Sequence, residues 1–95
     1  MDISRCLTIS MAHISKETEE KLFKECNSNK MQVFVCRKSD FGYFIYVPQD
    51  LPLRDDRAIP DDLWECMLLA YEKDCEWLCV DCDGEEVKDL PVHDW

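Results

Sequence analysis

The chain predicts an α+β fold of ferredoxin-like order, β-α-β-β-α-β, in which a four-stranded antiparallel sheet carries two helices on one face and leaves the other open. Three observations predict it. Runs rich in β-branched and aromatic residues, CLTISM, QVFVCRK, FGYFIYV and EWLCVDC, recur along the sequence. Stretches with helical spacing of apolar residues follow the first run and precede the last. The two middle runs are joined by a short polar link around Ser39 and Asp40, the mark of a hairpin. With 95 residues, the chain is expected to form a single domain over 1–95 with one modest core.

The first strand is expected from about Arg5 to Met11. Ser15 then fits a helix N-cap, and Glu17, Glu19 and Glu20 sit where the helix dipole favours anions. Leu22, Phe23 and Cys26 supply a narrow stripe for burial, and the cluster Asn27, Ser28 and Asn29 stops the helix. The run from Phe41 to Val47 is apolar on both alternating faces, which places it inside the sheet. Pro48 ends it, because proline cannot donate to the ladder.

Residues 48–60 hold three of the four prolines and read as a long connection. Pro60 fits the first helical position, Asp61 and Asp62 complement the dipole, and Leu63, Trp64, Met67, Leu68, Ala70 and Tyr71 make a broad apolar helix face. The last strand follows, with a tight turn at Asp83-Gly84.

Lys and Arg number 11 against 21 Asp and Glu, a net charge of −10. Such a balance opposes binding to phosphates, so nucleic acid and anionic membrane are not expected ligands. The excess lies almost wholly in the second half, where residues 50–95 hold fifteen acids and four bases. No stretch resembles a signal sequence or a membrane span, and a cytoplasmic location is expected. Seven cysteines, an odd number in a chain of ordinary core composition, read as reduced thiols.

The stretch CEWLCVDCDGEEV carries two apparent chemistries. Cys75, Cys79 and Cys82 have the C-x3-C-x2-C spacing of radical iron-sulfur enzymes. On a strand, however, residues three apart point to opposite faces, so Cys79 and Cys82 are not expected to share an ion. VDCDG resembles the nucleophile strand of haloacid-dehalogenase phosphatases, but only eleven residues follow Gly84 to supply the lysine, further acids and magnesium pocket such a site needs. As a calcium loop it would put Leu90 where a bidentate acid must sit. His13, at a strand-helix junction, is expected to hydrogen-bond the backbone. Two glycines leave no phosphate-cradling loop. No catalytic, cofactor or metal residue is assigned, and the chain reads as a non-enzyme. The alternative classes are a metal protein or Cys/His enzyme using Cys79, Cys82 or His13, and a structural or regulatory subunit.

SMAHIS, GYFIYVP, IPDDL, WLCVDCDG and LPVHDW together resemble a family of small acidic bacterial proteins of unknown function often carried on mobile elements. The resemblance covers most of the chain. Its specific parts are Ala12-His13-Ile14, Trp77-Leu78 with Asp81 and Asp83, and Leu90-Pro91 with Asp94-Trp95. It implies a setting in which a small acidic protein inhibits a host defence nuclease, of the restriction or CRISPR kind, by occupying its basic nucleic-acid channel. On that expectation the partner-binding residues are Asp55, Asp56, Asp61, Asp62, Asp81, Asp83, Glu85, Glu86, Asp89, Asp94 and Trp95, with Asp50 and Glu65 beside them. The partner is then a protein with a basic nucleic-acid-binding surface. The aromatic content of the open sheet face calls for cover by the long connection, by the C-terminal tail ending in Trp95, or by a second molecule in a homodimer.

Overall fold

A computed structural model describes residues 4–28, 34–38, 42–48 and 59–93. Strand β1 (Cys6–Ser10) leads through a 3-10 turn (Met11–His13) into helix α1 (Lys16–Ser28). Strands β2 (Val35–Lys38) and β3 (Gly42–Tyr46), helix α2 (Asp61–Glu72) and strand β4 (Trp77–Asp81) follow. The expected order of elements is therefore present, with boundaries shifted by a residue or two. The long connection lies largely outside the described residues.

The sheet departs from the expectation. Its order is β1-β4-β3-β2, and although β4 runs antiparallel to β3 and β3 to β2, β1 pairs parallel with β4. The sheet is mixed, not purely antiparallel, and β1 is an edge strand. The physical reason lies in the two faces of each strand. β4 buries Leu78 and Val80 on one face and Cys79 on the other, so it gains most from a central place. In β1, Cys6 and Thr8 are exposed, a pattern an edge strand tolerates.

Register puts Leu7, Ile9, Leu78, Val80, Tyr43, Ile45 and Val35 on one face. These residues pack with Leu22 of α1 and with Leu63, Cys66, Met67 and Ala70 of α2 in the core, so both helices lie against this face. Burying a side chain such as Leu63 stabilises by about 1.5–3 kcal/mol, and Leu63→Ala would cost about 2–5 kcal/mol.

Helix α1 buries a different stripe from the one expected. Phe23 is 51% exposed and Cys26 is exposed, while Thr18, Leu22 and Glu25, at i, i+4 and i+7, turn inward. Tertiary hydrogen bonding explains the polar end of that stripe at Thr18, whose hydroxyl meets the Asp62 carboxylate. Phe23 meets the sheet edge by another route, with the Arg37 guanidinium 4.9 Å from its ring centroid. The Ser15 cap is present: its hydroxyl accepts from the Thr18 N–H at 3.2 Å.

Helix α2 ends with Asp74 at φ 58°, a left-handed residue that lets the Cys75 N–H reach the Ala70 carbonyl at 2.9 Å. After β4, the turn at Asp83-Gly84 closes with Gly84 N–H on the Asp81 carbonyl at 3.0 Å. Gly84 lies so close to the Ile9 carbonyl and Ser10 nitrogen that a Cβ would collide with backbone. That approach lets Ser10 donate to the Glu85 carbonyl at 2.9 Å, covering the end of the β1 edge.

Candidate functional site

The acids expected to bind a partner divide into three groups. Asp50, Asp55, Asp56, Asp94 and Trp95 lie outside the described residues. Asp62 and Asp81 are engaged within the fold. Asp61, Asp83, Glu85, Glu86 and Asp89 are exposed, as are Glu65 and Glu72 on α2.

Asp62 stands in the first turn of α2 and reaches across to the start of α1. Its carboxylate accepts from the Ser15 N–H at 2.7 Å, from the Thr18 hydroxyl at 2.7 and 2.8 Å, and from its neighbour Leu63 N–H at 2.9 Å. Partial burial acts to raise its pKa, but the hydrogen bonds from Thr18, Ser15 and Leu63 outweigh it and hold the carboxyl below its ordinary value. A side chain so occupied joins the helices and does not face a partner.

Asp81 ends β4 on the face away from the helices. The Lys38 ammonium donates to it at 2.8 Å, and the Asp83 N–H donates to its other oxygen at 2.8 Å. Those two hydrogen bonds, Lys38 first, hold its pKa below the usual value. The D-x-D-G signature is therefore an Asx-type turn built on an ion pair, as its reading as a turn anticipates.

The C-terminal segment is held to the 3-10 turn by His13, which is buried. Its Nε2 accepts the Val87 N–H at 2.9 Å, so Nδ1 carries the hydrogen and donates to the Pro91 carbonyl at 2.8 Å. Both ring nitrogens serve backbone groups, the role expected for a histidine at this junction. His93 N–H adds a bond to the Ala12 carbonyl at 2.7 Å. Sequence reasoning missed these partners, since backbone groups 74 and 78 residues away leave no residue-type signal.

Fixed in this way, the segment forms one wall of a groove whose other wall is α2. Glu65, Leu68, Leu69 and Glu72 line one side and Asp89, Leu90 and Pro91 the other, around a space of about 420 Å³. The sequence did carry a trace of it. Eight of the residues between Leu63 and Tyr71 are apolar, more than one buried helix face can absorb.

A second concavity, about 360 Å³, opens on the sheet face opposite the helices between Cys6, Phe34, Cys36, Phe44 and Trp77. Phe34 and Tyr46 meet the Trp77 ring edge-on, with centroids 6.0 and 5.5 Å apart. Cys79 is buried beside it, whereas Cys75 belongs to the core on the opposite face and Cys82 is exposed past the strand end. The C-x3-C-x2-C sulfurs thus diverge. Among the described residues no three His, Cys, Asp or Glu side chains are grouped to hold a metal ion. Cys66 approaches His13 through its backbone, the thiol 3.8 Å from the carbonyl, and burial pushes that thiol's pKa up to about 12.

The fold and these sites define an α+β domain with a mixed four-stranded sheet, a histidine-anchored C-terminal segment and an acidic exposed flank. The chain belongs to the family of unknown function DUF5983: it matches that family's C-terminal domain over residues 6–95. No curated protein and no solved structure matches it. Among the described residues, no helix is long and apolar enough to cross a membrane.

Proposed function

We propose that the domain is a non-enzymatic protein-binding module that engages a basic surface of its partner through its acidic second half. One observation carries this reading. Between residues 59 and 93, Glu65, Glu72, Asp74, Asp83, Glu85, Glu86 and Asp89 are exposed, and the bases in that span are Lys73 and Lys88 alone. So many like charges repel one another across the folded surface, a cost that a basic partner would relieve. In its most concrete form the partner is a host nuclease of the restriction or RNA-guided kind, in the cytoplasm of a cell receiving a mobile element. The acids would then occupy the channel meant for phosphates.

The test is inhibition of such nucleases by the purified chain, repeated across ionic strength. Inhibition that weakens as salt rises, and that is lost in an Asp83→Asn, Glu85→Gln, Glu86→Gln, Asp89→Asn variant, supports the reading. Equal potency of wild type and variant against every nuclease it inhibits would exclude the acidic surface.

A second reading concerns the sheet face opposite the helices, which no described helix covers and where the aromatic groove supports self-association. Lys38 and Asp81 neutralise each other there, so two copies of a chain of net charge −10 would meet with least repulsion on that face. Sedimentation velocity of wild type against Trp77→Lys tests it: a dimer in the former and a monomer in the latter is the supporting result.

A further inference from the structure

We propose that the groove between α2 and the 87–91 segment docks a basic amphipathic helix of the partner protein. This inference rests on the reading that the acidic second half binds protein. It specifies the place on that half and the kind of segment recognised.

The floor is apolar and more generous than folding requires. Leu63, Cys66, Met67 and Ala70 already commit one face of α2 to the core, yet Leu68 and Leu69 stand half-buried on its flank. Leu90 and Pro91 face them across the groove. Both walls are held in advance, one by helical hydrogen bonds and the other by the His13 ring bonds to Val87 and Pro91. A site ordered before binding loses less entropy when it is filled.

The rim has one sign. Glu65 and Glu72 stand on the α2 wall and Asp89 on the facing wall, and no lysine or arginine lines the groove among the described residues. The two glutamates are seven positions apart, about two helical turns or about 10.5 Å along the axis. A partner helix with lysines or arginines seven apart repeats that spacing, and apolar residues at intervening i, i+3 and i+4 positions give it a ridge for the leucine floor. Duplex or single-stranded nucleic acid is opposed by the rim charge. A purely cationic surface would leave the leucines unsatisfied. The amphipathic basic helix meets both demands.

The probe is a fluorescent synthetic helix of about 20 residues with a leucine ridge flanked by lysines at seven-residue intervals, read by anisotropy against the full chain. A scrambled peptide of the same composition is the control. The ordered peptide is expected to bind at least about tenfold tighter than the scrambled one, and the exposed double substitution E65K/E72K to remove that advantage. Replacing the peptide lysines with glutamate should restore binding to E65K/E72K, a rescue that misfolding cannot produce. Equal binding of ordered and scrambled peptides, or failure of the rescue, overturns the groove proposal. If E65K/E72K binds as wild type does while D83N/E85Q/E86Q loses binding, the groove is wrong and the acidic-half reading survives. Absence of binding to either basic peptide removes the groove proposal and counts against the wider reading as well.

Discussion

The Thr18 hydroxyl lies 2.7 and 2.8 Å from the two carboxylate oxygens of Asp62, 44 residues further along the chain, and so ties the first turn of α1 to the first turn of α2. The same carboxylate takes the Ser15 N–H, one of the donors a helix start leaves unpaired. Asp62→Ala is expected to destabilise the domain by about 1–2 kcal/mol, because charge-assisted hydrogen bonds are lost but solvent still reaches the carboxylate. Urea unfolding checks it.

Asp62 also sets an acid limb. Its folded pKa is depressed relative to the unfolded chain, so its stabilisation is complete above the ordinary carboxylate pKa and is lost as pH falls through the folded value. Asp62→Asn should therefore show a shallower fall in Tm below about pH 4 than wild type. An unchanged acid slope would remove Asp62 from the account.

His13 offers a structural test. His13→Phe keeps bulk but strands the Val87 N–H and the Pro91 carbonyl, at an expected cost of about 2–4 kcal/mol. Hydrogen exchange should accelerate first at Val87 and His93, whose amides belong to the anchored segment. A uniform change across the chain would mean that His13 supports the core generally and not the anchor.

Asp74 occupies a left-handed conformation at φ 58° after α2, where a Cβ is unfavourable. Asp74→Gly should raise stability by up to about 1 kcal/mol, read as a higher Tm at unchanged circular dichroism. A lower Tm would indicate that the aspartate makes a compensating local interaction.

The thiols should divide by burial. Cys6, Cys26, Cys36 and Cys82 are exposed, and Cys66, Cys75 and Cys79 are buried. A chromogenic disulfide reagent should modify the first group in the native protein and the second only after unfolding. Within the first group, Cys6 and Cys26 should react slowly for exposed thiols, because partial desolvation raises their pKa values. Rapid native modification of Cys66 would contradict its raised pKa.

Much of the fold was legible locally. The hairpin was readable in two β-rich runs with a short polar link, α2 in its apolar spacing behind Pro60, and the turn in Asp83-Gly84. The stripe of α1 was not, because Phe23 and Cys26 look more suitable for burial than Thr18 and Glu25 until Asp62 is seen beside Thr18. The purely antiparallel sheet was a misreading for a related reason, since β1 pairs parallel with β4 at the sheet edge. Order depends on which strand is covered on both faces, and the exposure of Thr8 against the burial of Cys79 is visible only once their neighbours are placed.

The amino-acid sequence by itself determined the run of elements, the acidic second half and the surplus of apolar residues on α2, because each follows from residue type and near-neighbour spacing. The tertiary structure alone decided that β1 lies parallel to β4 at the sheet edge, that Asp62 and Asp81 serve the fold, and that His13 aligns the C-terminal segment beside α2. Those features arise from hydrogen bonds and packing between residues more than 40 positions apart, and no local pattern encodes such partners.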